Sequence, residues 1–464
     1  MSSMQAKVIS YPRDKAVNGE PETSPDQEPI QDQTQGQDQD FLDTLAGDSS
    51  KMEQLRSRVN ACLAEIALAR DNNDWQKVVD LFYPLEEKEP ELVAMGLDTP
   101  LRAELAFALS QAGRQEQSMA EYEKCVQDQP DNFYAVSGLA YVIYNLLYAA
   151  KNRERILPYK QKVQYTEKAH KYFVQAQKLR PDRVTNFYRQ GMLYKNLQNM
   201  DRKAAPLFRT AVGNWEAYDE DAREKRHQEY KNYIKSLYNL GSCLLKQGRP
   251  KEALEHLHKC LEHDESRNYI RAEHKYFALG KVHFEMNNPE QAIKELEFAA
   301  SFTDPVKGDY IHELWARVLL GMSRPMDALQ ILARIPDKFR RQFVRWTEGD
   351  CYLALQDYAR ARQAWNKALE KDRRSRHRPL IRLARMEFKL SNFSQCLQHA
   401  MEANSFHLEA YGNPDPDGLF WAAASAIRLQ DREKARQHLD ELKSFRPDYP
   451  MLGKLNQVFV QTFG

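Results

Sequence analysis

The chain has 464 residues, with 67 Lys+Arg against 66 Asp+Glu, so a formal charge of +1 selects no class of partner. Apolar residues make up 42% and glycine fills only 18 positions, which excludes a broadly unfolded chain. Six scattered cysteines (Cys62, Cys125, Cys243, Cys260, Cys351 and Cys396) argue against a disulfide-stapled fold and predict a reducing, cytoplasmic location.

Residues 1–50 carry ten acidic and three basic residues, a net of −7, with a Gln/Asp run at Gln31–Asp40 and four prolines between Pro12 and Pro29. Such a stretch buries too little apolar surface to offset its ordering entropy, so a disordered acidic tail is expected. Phe41, Leu42 and Leu45 interrupt it. They suit the lead-in of the first helix, or else a short docking motif for a partner or for this chain's own groove. Met1–Lys15 has no apolar core, so no signal peptide is expected.

From Met52 onward apolar residues recur at i, i+3, i+4 and i+7, and Pro or Gly falls mostly at junctions. Overlaid on this is a period of roughly 34 residues, the spacing of stacked-helix arrays. Small, bulky and small residues return in order as Ala253–Leu257–Cys260, Ala292–Leu296–Ala299, Ala361–Trp365–Ala368 and Ala435–Leu439–Leu442. About a dozen residues upstream of each sits another small one: Gly241, Gly280, Gly349 and Ala423. Helix pairs joined by short turns cannot hide their apolar faces alone, so each must stack on the next. Units start near Val59, Thr99, Asn132, Val184, Ile234, Glu273, Asp309, Gln342, His377 and Pro416.

The expected organisation is a tail at 1–50, an array of about four units at 51–214 with an insertion near 150–166, a charged linker or extended helix at 215–232, about six units at 233–450, and a capping helix at 451–464. The most apolar window, Leu139–Ala150, is too short to span a bilayer, and no membrane contact is expected. The segment Arg334–Arg385 holds fifteen basic and six acidic residues, a net of +9.

The pattern resembles the tetratricopeptide repeat family. The unit from Ile234 carries Leu237, Leu240, Gly241, Leu244, Ala253, Leu257 and Cys260 at the family's bulky and small positions. The unit from Glu273 carries Tyr276, Leu279, Gly280, Ala292, Leu296 and Ala299 there. The resemblance implies an all-α, right-handed superhelical solenoid whose first helices line a concave groove. It further implies that repeat positions 2, 5, 9 and 12 face that groove. Positions 2, 5 and 9 give Tyr188, Tyr238, Phe277, Lys281, Arg317, Phe343, Trp346, Arg385 and Phe420 as partner contacts. An aromatic row with interspersed cations suits an acidic peptide with apolar anchors. A chaperone-type carboxylate clamp begins at Lys235 and Asn239, but His274 and Ala278 stand where the next repeat needs Lys and Arg, so the clamp does not carry over.

A basic patch of Arg373, Arg374, Arg376 and Arg378 falls at a repeat junction. Clustered arginine beside aromatics also suits nucleic acid, the second reading of 334–385. No phosphate-binding loop, nucleophile elbow or metalloprotease motif occurs, so no catalytic residue and no cofactor are expected. His256, His258, Cys260 and His263 have metal-like residue types, but His256 and His263 stand about 10.5 Å apart along a helix, so no metal is expected there. The expected function is a non-enzymatic scaffold or adaptor that holds a peptide or helix in its groove. A third reading is a non-catalytic regulatory subunit of an enzyme complex.

Overall fold

A computed structural model of the chain describes residues 37–265 and 267–464, with side chains from residue 50 onward. Residues 1–36, where most of the acidic tail is expected, and the side chains of Phe41, Leu42 and Leu45 lie outside the described residues. Among the described residues every regular element is helical. The backbone is helical without a break over Gln37–Asp71, so the first helix runs across position 50.

The helices follow one another in couples. Their first members are Gln37–Asp71, Thr99–Gln111, Phe133–Lys151, Thr185–Met192, Tyr230–Lys246, Ala272–Glu285, Asp309–Gly321, Gln342–Ala354, His377–Lys389 and Pro416–Arg428. The turn inside a couple has one recurring device. A residue in the left-handed region follows the first helix, as at Asn73 (φ 56°), Asn287 (φ 60°), Gln356 (φ 62°) and Gln430 (φ 59°). Where an aspartate comes next, its side chain caps the second helix. Asp74, Asp357 and Asp431 accept from the amides of Lys77 (3.1 Å), Arg360 (3.0 Å) and Lys434 (3.1 Å).

The chain divides into two compact units. One comprises residues up to Arg249 with Glu262–Asp264; the other comprises Pro250–Leu261 with Glu265–Gly464. In the first unit the apolar helix Phe133–Lys151 is long and apolar enough to cross a membrane, yet it packs inside the unit. Val136, Leu139, Ile143 and Leu146 are buried against Ala169 and Phe173 of the helix Tyr159–Leu179. The extra residues of this repeat lengthen both helices, to 19 and 21 residues.

The charged segment 215–232 is folded rather than an open linker. It holds a helix at Glu220–Lys225 and a single 3-10 turn at His227–Glu229. Glu229 is buried and accepts from Tyr218 Oη (3.0 Å), Arg183 Nε (3.2 Å) and Thr185 Oγ1 (2.9 Å). Arg226 donates to Asp182 at 2.6 Å, and Trp215 stacks on Tyr233 with centroids 5.8 Å apart.

A second buried charge cluster lies near the start of the first unit. Arg102, only 3% exposed, donates to Asp98 at 2.6 Å, to Glu86 at 2.9 Å and to Glu121. Lys124 closes the ring onto Glu86 (2.6 Å) and Glu121 (3.1 Å). The periodicity treats helical charges as solvated faces; here they form an internal network.

In the second unit the small residues of the repeat have a steric cause. A Cβ at Gly280 would lie 2.7 Å from Leu296 Cγ, and one at Gly349 would enter the indole of Trp365, which is fully buried. Trp365 Nε1 donates to the Trp346 carbonyl at 3.1 Å, so the ring cannot swing aside cheaply. Gly349→Val is therefore expected to destabilise the second unit by about 3 kcal/mol. At Gly321 a Cβ would meet nothing within 4 Å, and Gly321→Ala is expected to stabilise by up to about 1 kcal/mol. Urea unfolding of the two variants checks the contrast. The array ends on the helix Leu452–Phe463, whose Leu455 and Phe459 are buried against the couple before it.

Candidate functional site

Four first helices of the second unit frame an open groove of about 820 Å³. Ile381, Arg385, Phe388 and Lys389 fall on one face of the helix His377–Lys389, because residues three, four and seven apart share a side of a helix. Asp350, Leu353 and Ala354 do the same on Gln342–Ala354. Leu320 and Trp421 complete the walls. The Trp421 ring leans on Phe388 with centroids 5.3 Å apart, which fixes the apolar end.

The electrostatics of the groove are cationic around one carboxylate. Arg382 Nε donates to both oxygens of Asp350, at 2.9 and 3.1 Å. Burial pushes the Asp350 carboxyl above its usual range, and the Arg382 guanidinium opposes that shift. Arg385 and Lys389 are exposed and form no ion pair among the described residues. The groove therefore presents Arg385, and Lys389 with its ammonium over the Tyr358 ring at 5.7 Å, as cations outside any ion pair among the described residues, beside an apolar wall. Such a surface attracts anionic groups and gains further from apolar burial.

Of the residues expected at the groove, Arg385 lines it. Trp346 stands one helical turn from Asp350, with Arg378 and Arg382 over its ring at 5.3 and 5.7 Å. Arg317 is exposed, pairs with Glu313 at 3.8 Å and sits over Phe284. Lys281 is half-buried on Ala272–Glu285. The expected aromatics of the second unit are half-buried and rest on neighbouring side chains. Phe277 meets Tyr310 edge-on at 4.7 Å, Phe343 packs against the repeat core beneath the Arg341 guanidinium, and Phe420 leans on Tyr449 at 5.5 Å. Tyr188 and Tyr238 belong to the first unit, where Tyr188 is buried at 9% exposure against Phe208 and Tyr238 is half-buried. Large aromatics at the joint between neighbouring repeats gain more by filling it than by facing water.

Arg382, Phe388, Lys389 and Trp421 were missing from the expected set. Phe388 stands at position 12 of its repeat, a position the family resemblance also turns toward the groove. Arg382 and Trp421 stand one residue after position 5, which spacing alone assigns to the next face.

The basic patch is only partly available. Arg376 donates to the Leu369 carbonyl at 3.1 Å and to Glu402 at 3.4 Å, whereas Arg373, Arg374 and Arg378 are exposed. Asp372 caps this turn, accepting from the amides of Arg374 (3.0 Å) and Ser375 (2.7 Å). Several arginines of 334–385 are tied up in ion pairs, but only those reaching Asp309, Glu387 and Glu402 outside the segment offset its +9. Arg340 pairs with Glu348 at 2.6 Å, Arg345 with Asp337 at 2.7 Å and Arg362 with Glu387 at 2.5 Å, and Arg341 pairs with Asp309. In the first unit Asn239, the second clamp residue, accepts from Lys195 at 2.7 Å and donates to the Lys235 carbonyl at 2.7 Å, so it is engaged within the chain.

Repeated helix couples with a groove along their first helices define a helical-repeat scaffold. A model of the tetratricopeptide repeat-like domain matches residues 204–394, and a tetratricopeptide repeat model matches residues 417–449. The chain carries tetratricopeptide-type repeats over those residues. No curated protein matches it. Among solved structures it is similar to PilW, a widely conserved type IV pilus biogenesis factor (13% identity, TM-score 0.40, covering 48% of this chain and 98% of that one). It is also similar to YrrB, a tetratricopeptide repeat protein with an unusual peptide-binding site (20%, 0.34, 48% and 92%). A third is a tetratricopeptide repeat protein from Parabacteroides merdae (11%, 0.43, 59% and 99%). These likenesses are faint, and the repeat assignment rests on the repeat models and on the helix couples themselves.

Proposed function

We propose that the second unit is the binding half of an intracellular, non-catalytic adaptor, and that its groove captures a short acidic segment carrying an apolar anchor. The observation that carries this is the groove itself, where Arg385 and Lys389 are exposed and outside any ion pair among the described residues, beside the wall of Ile381, Phe388 and Trp421. The anchor would rest on that wall while flanking Asp or Glu side chains meet the two cations. A groove on packed helices is already ordered, so the entropy lost on binding falls mainly on the segment. An intracellular site is supported by the six cysteines, all buried and none in a disulfide.

Fluorescence anisotropy of the full chain with a labelled peptide of alternating Glu and Leu/Phe tests the proposal. Saturable binding that weakens with salt is expected, with a Lys-for-Glu counterpart binding at least about tenfold more weakly. Equal affinity for both peptides would contradict it. Tighter and more steeply salt-dependent binding of a single-stranded RNA would also contradict it and would move the site to Arg373, Arg374 and Arg378.

A further inference from the structure

We propose that His377, His407 and Asp415 form a site for one divalent transition-metal ion, of the zinc class, in the second unit. The inference does not depend on the groove's ligand. The three residues come from separate elements. His377 opens the helix His377–Lys389, His407 lies in the helix Phe393–Tyr411, and Asp415 caps the helix Pro416–Arg428. One ligand atom from each lies within 4.8 Å of the others, a spacing that small side-chain rotations close around an ion. No single motif spells the set, because 38 residues of sequence separate its ends; the stacking of neighbouring repeats assembles it.

Each member is prepared differently for coordination. His407 Nδ1 stands 2.9 Å from the Asn413 carbonyl, an acceptor only, so Nδ1 carries the proton and Nε2 keeps its lone pair. Metal-binding histidines are oriented by this kind of outer hydrogen bond. His377 Nδ1 is buried and makes no hydrogen bond among the described residues, an orphaned polar atom that an ion would satisfy. Asp415 is only 5% exposed. Its Oδ1 accepts from the amides of Asp417 (3.0 Å) and Gly418 (3.2 Å), which leaves Oδ2 for a cation. The Asp415 amide in turn donates to Asn404 Oδ1 at 2.8 Å, holding the turn in place.

The three residues line one cavity of about 400 Å³ together with Ile381, Arg378, Arg382 and Asp417. Both guanidinium groups are engaged: Arg382 on Asp350, and Arg378 over the Trp346 ring. Asp417 adds a second carboxylate, which accepts from Tyr449 Oη at 2.6 Å. Two imidazoles and one carboxylate suit Zn²⁺ and its neighbours rather than Mg²⁺ or Ca²⁺, and the cavity leaves the remaining position to water or a ligand oxygen.

The test titrates the full, untagged chain with Zn²⁺ by calorimetry and with Co²⁺ by visible absorption. One ion per chain is expected, and the Co²⁺ form is expected to show ligand-field bands. His377→Gln and His407→Gln are each expected to bind at least about 100-fold more weakly and to lose the bands. Asp415→Asn keeps an oxygen to cap the helix, so it is expected to retain the metal-free unfolding temperature while losing the ion. His258→Gln, on an exposed histidine elsewhere, is expected to bind as the parent chain does. An absence of binding by the parent chain would overturn the proposal. So would binding that survives unchanged in both His377→Gln and Asp415→Asn.

Discussion

Arg102→Met is expected to destabilise the first unit by about 3–5 kcal/mol, among the largest effects of any single substitution in the chain. The methionine fills much of the same space, so lost volume is not the cause. The cause is charge left without its partner: Asp98 and Glu121, 4% and 4% exposed, lose the guanidinium that Arg102 places among them. Amide exchange over Thr99–Asp128 is expected to accelerate by about two to three orders of magnitude, since about 1.4 kcal/mol is one factor of ten. Adding Asp98→Asn and Glu121→Gln is expected to recover much of the loss, because neutral amides are less costly to bury unpaired. An unchanged exchange rate in Arg102→Met would show that the cluster does not hold the unit together.

The same cluster sets an acid limit. Burial raises the Glu86 carboxyl, but Lys124 and Arg102 outweigh it and hold Glu86 at about 2, below its ordinary 4.5. A carboxyl depressed by folding contributes stability above its unfolded pKa and loses it as pH falls through the folded value. The first unit is therefore expected to weaken between about pH 4.5 and 2, and the Arg102→Met chain to show a shallower slope over that window.

The second large effect is on binding. Arg385→Glu with Lys389→Glu is expected to weaken capture of the acidic peptide about 100-fold, or about 2.7 kcal/mol. Both side chains are exposed and neither forms an ion pair among the described residues, so reversal adds like-charge repulsion without opening the core. Circular dichroism of the variant is expected to match the parent. The Lys-rich counterpart peptide is expected to gain affinity for the doubly reversed chain. If both peptides bind that chain as they bind the parent, Arg385 and Lys389 do not contact the ligand.

The couples were legible from sequence because the feature that stacks them is local and repeated. Gly280 and Gly349 recur where Leu296 and Trp365 must enter, and the unit starts at Asp309, Gln342, His377 and Pro416 coincide with observed helix starts. The groove was legible only in part. Repeat position marks a face of a helix, but it does not separate a side chain that enters the joint with the next repeat from one that stays open. Phe277 and Phe420 are half-buried against Tyr310 and Tyr449, whereas Arg385 is exposed in the groove. Long-range pairing was not legible. Charges in the Arg102 cluster and around Glu229 look like ordinary solvated helix charges until the fold brings them together. His377, His407 and Asp415 meet only after two repeats have stacked.

The central claim concerns where the acidic peptide binds, and hydrogen–deuterium exchange of the full chain with and without it is the most direct measurement. Slowed exchange is expected over His377–Lys389 and Pro416–Arg428, with Phe133–Lys151 and Tyr159–Leu179 unchanged. Protection confined to the first unit, or none over His377–Lys389 at saturating peptide, would contradict the groove assignment.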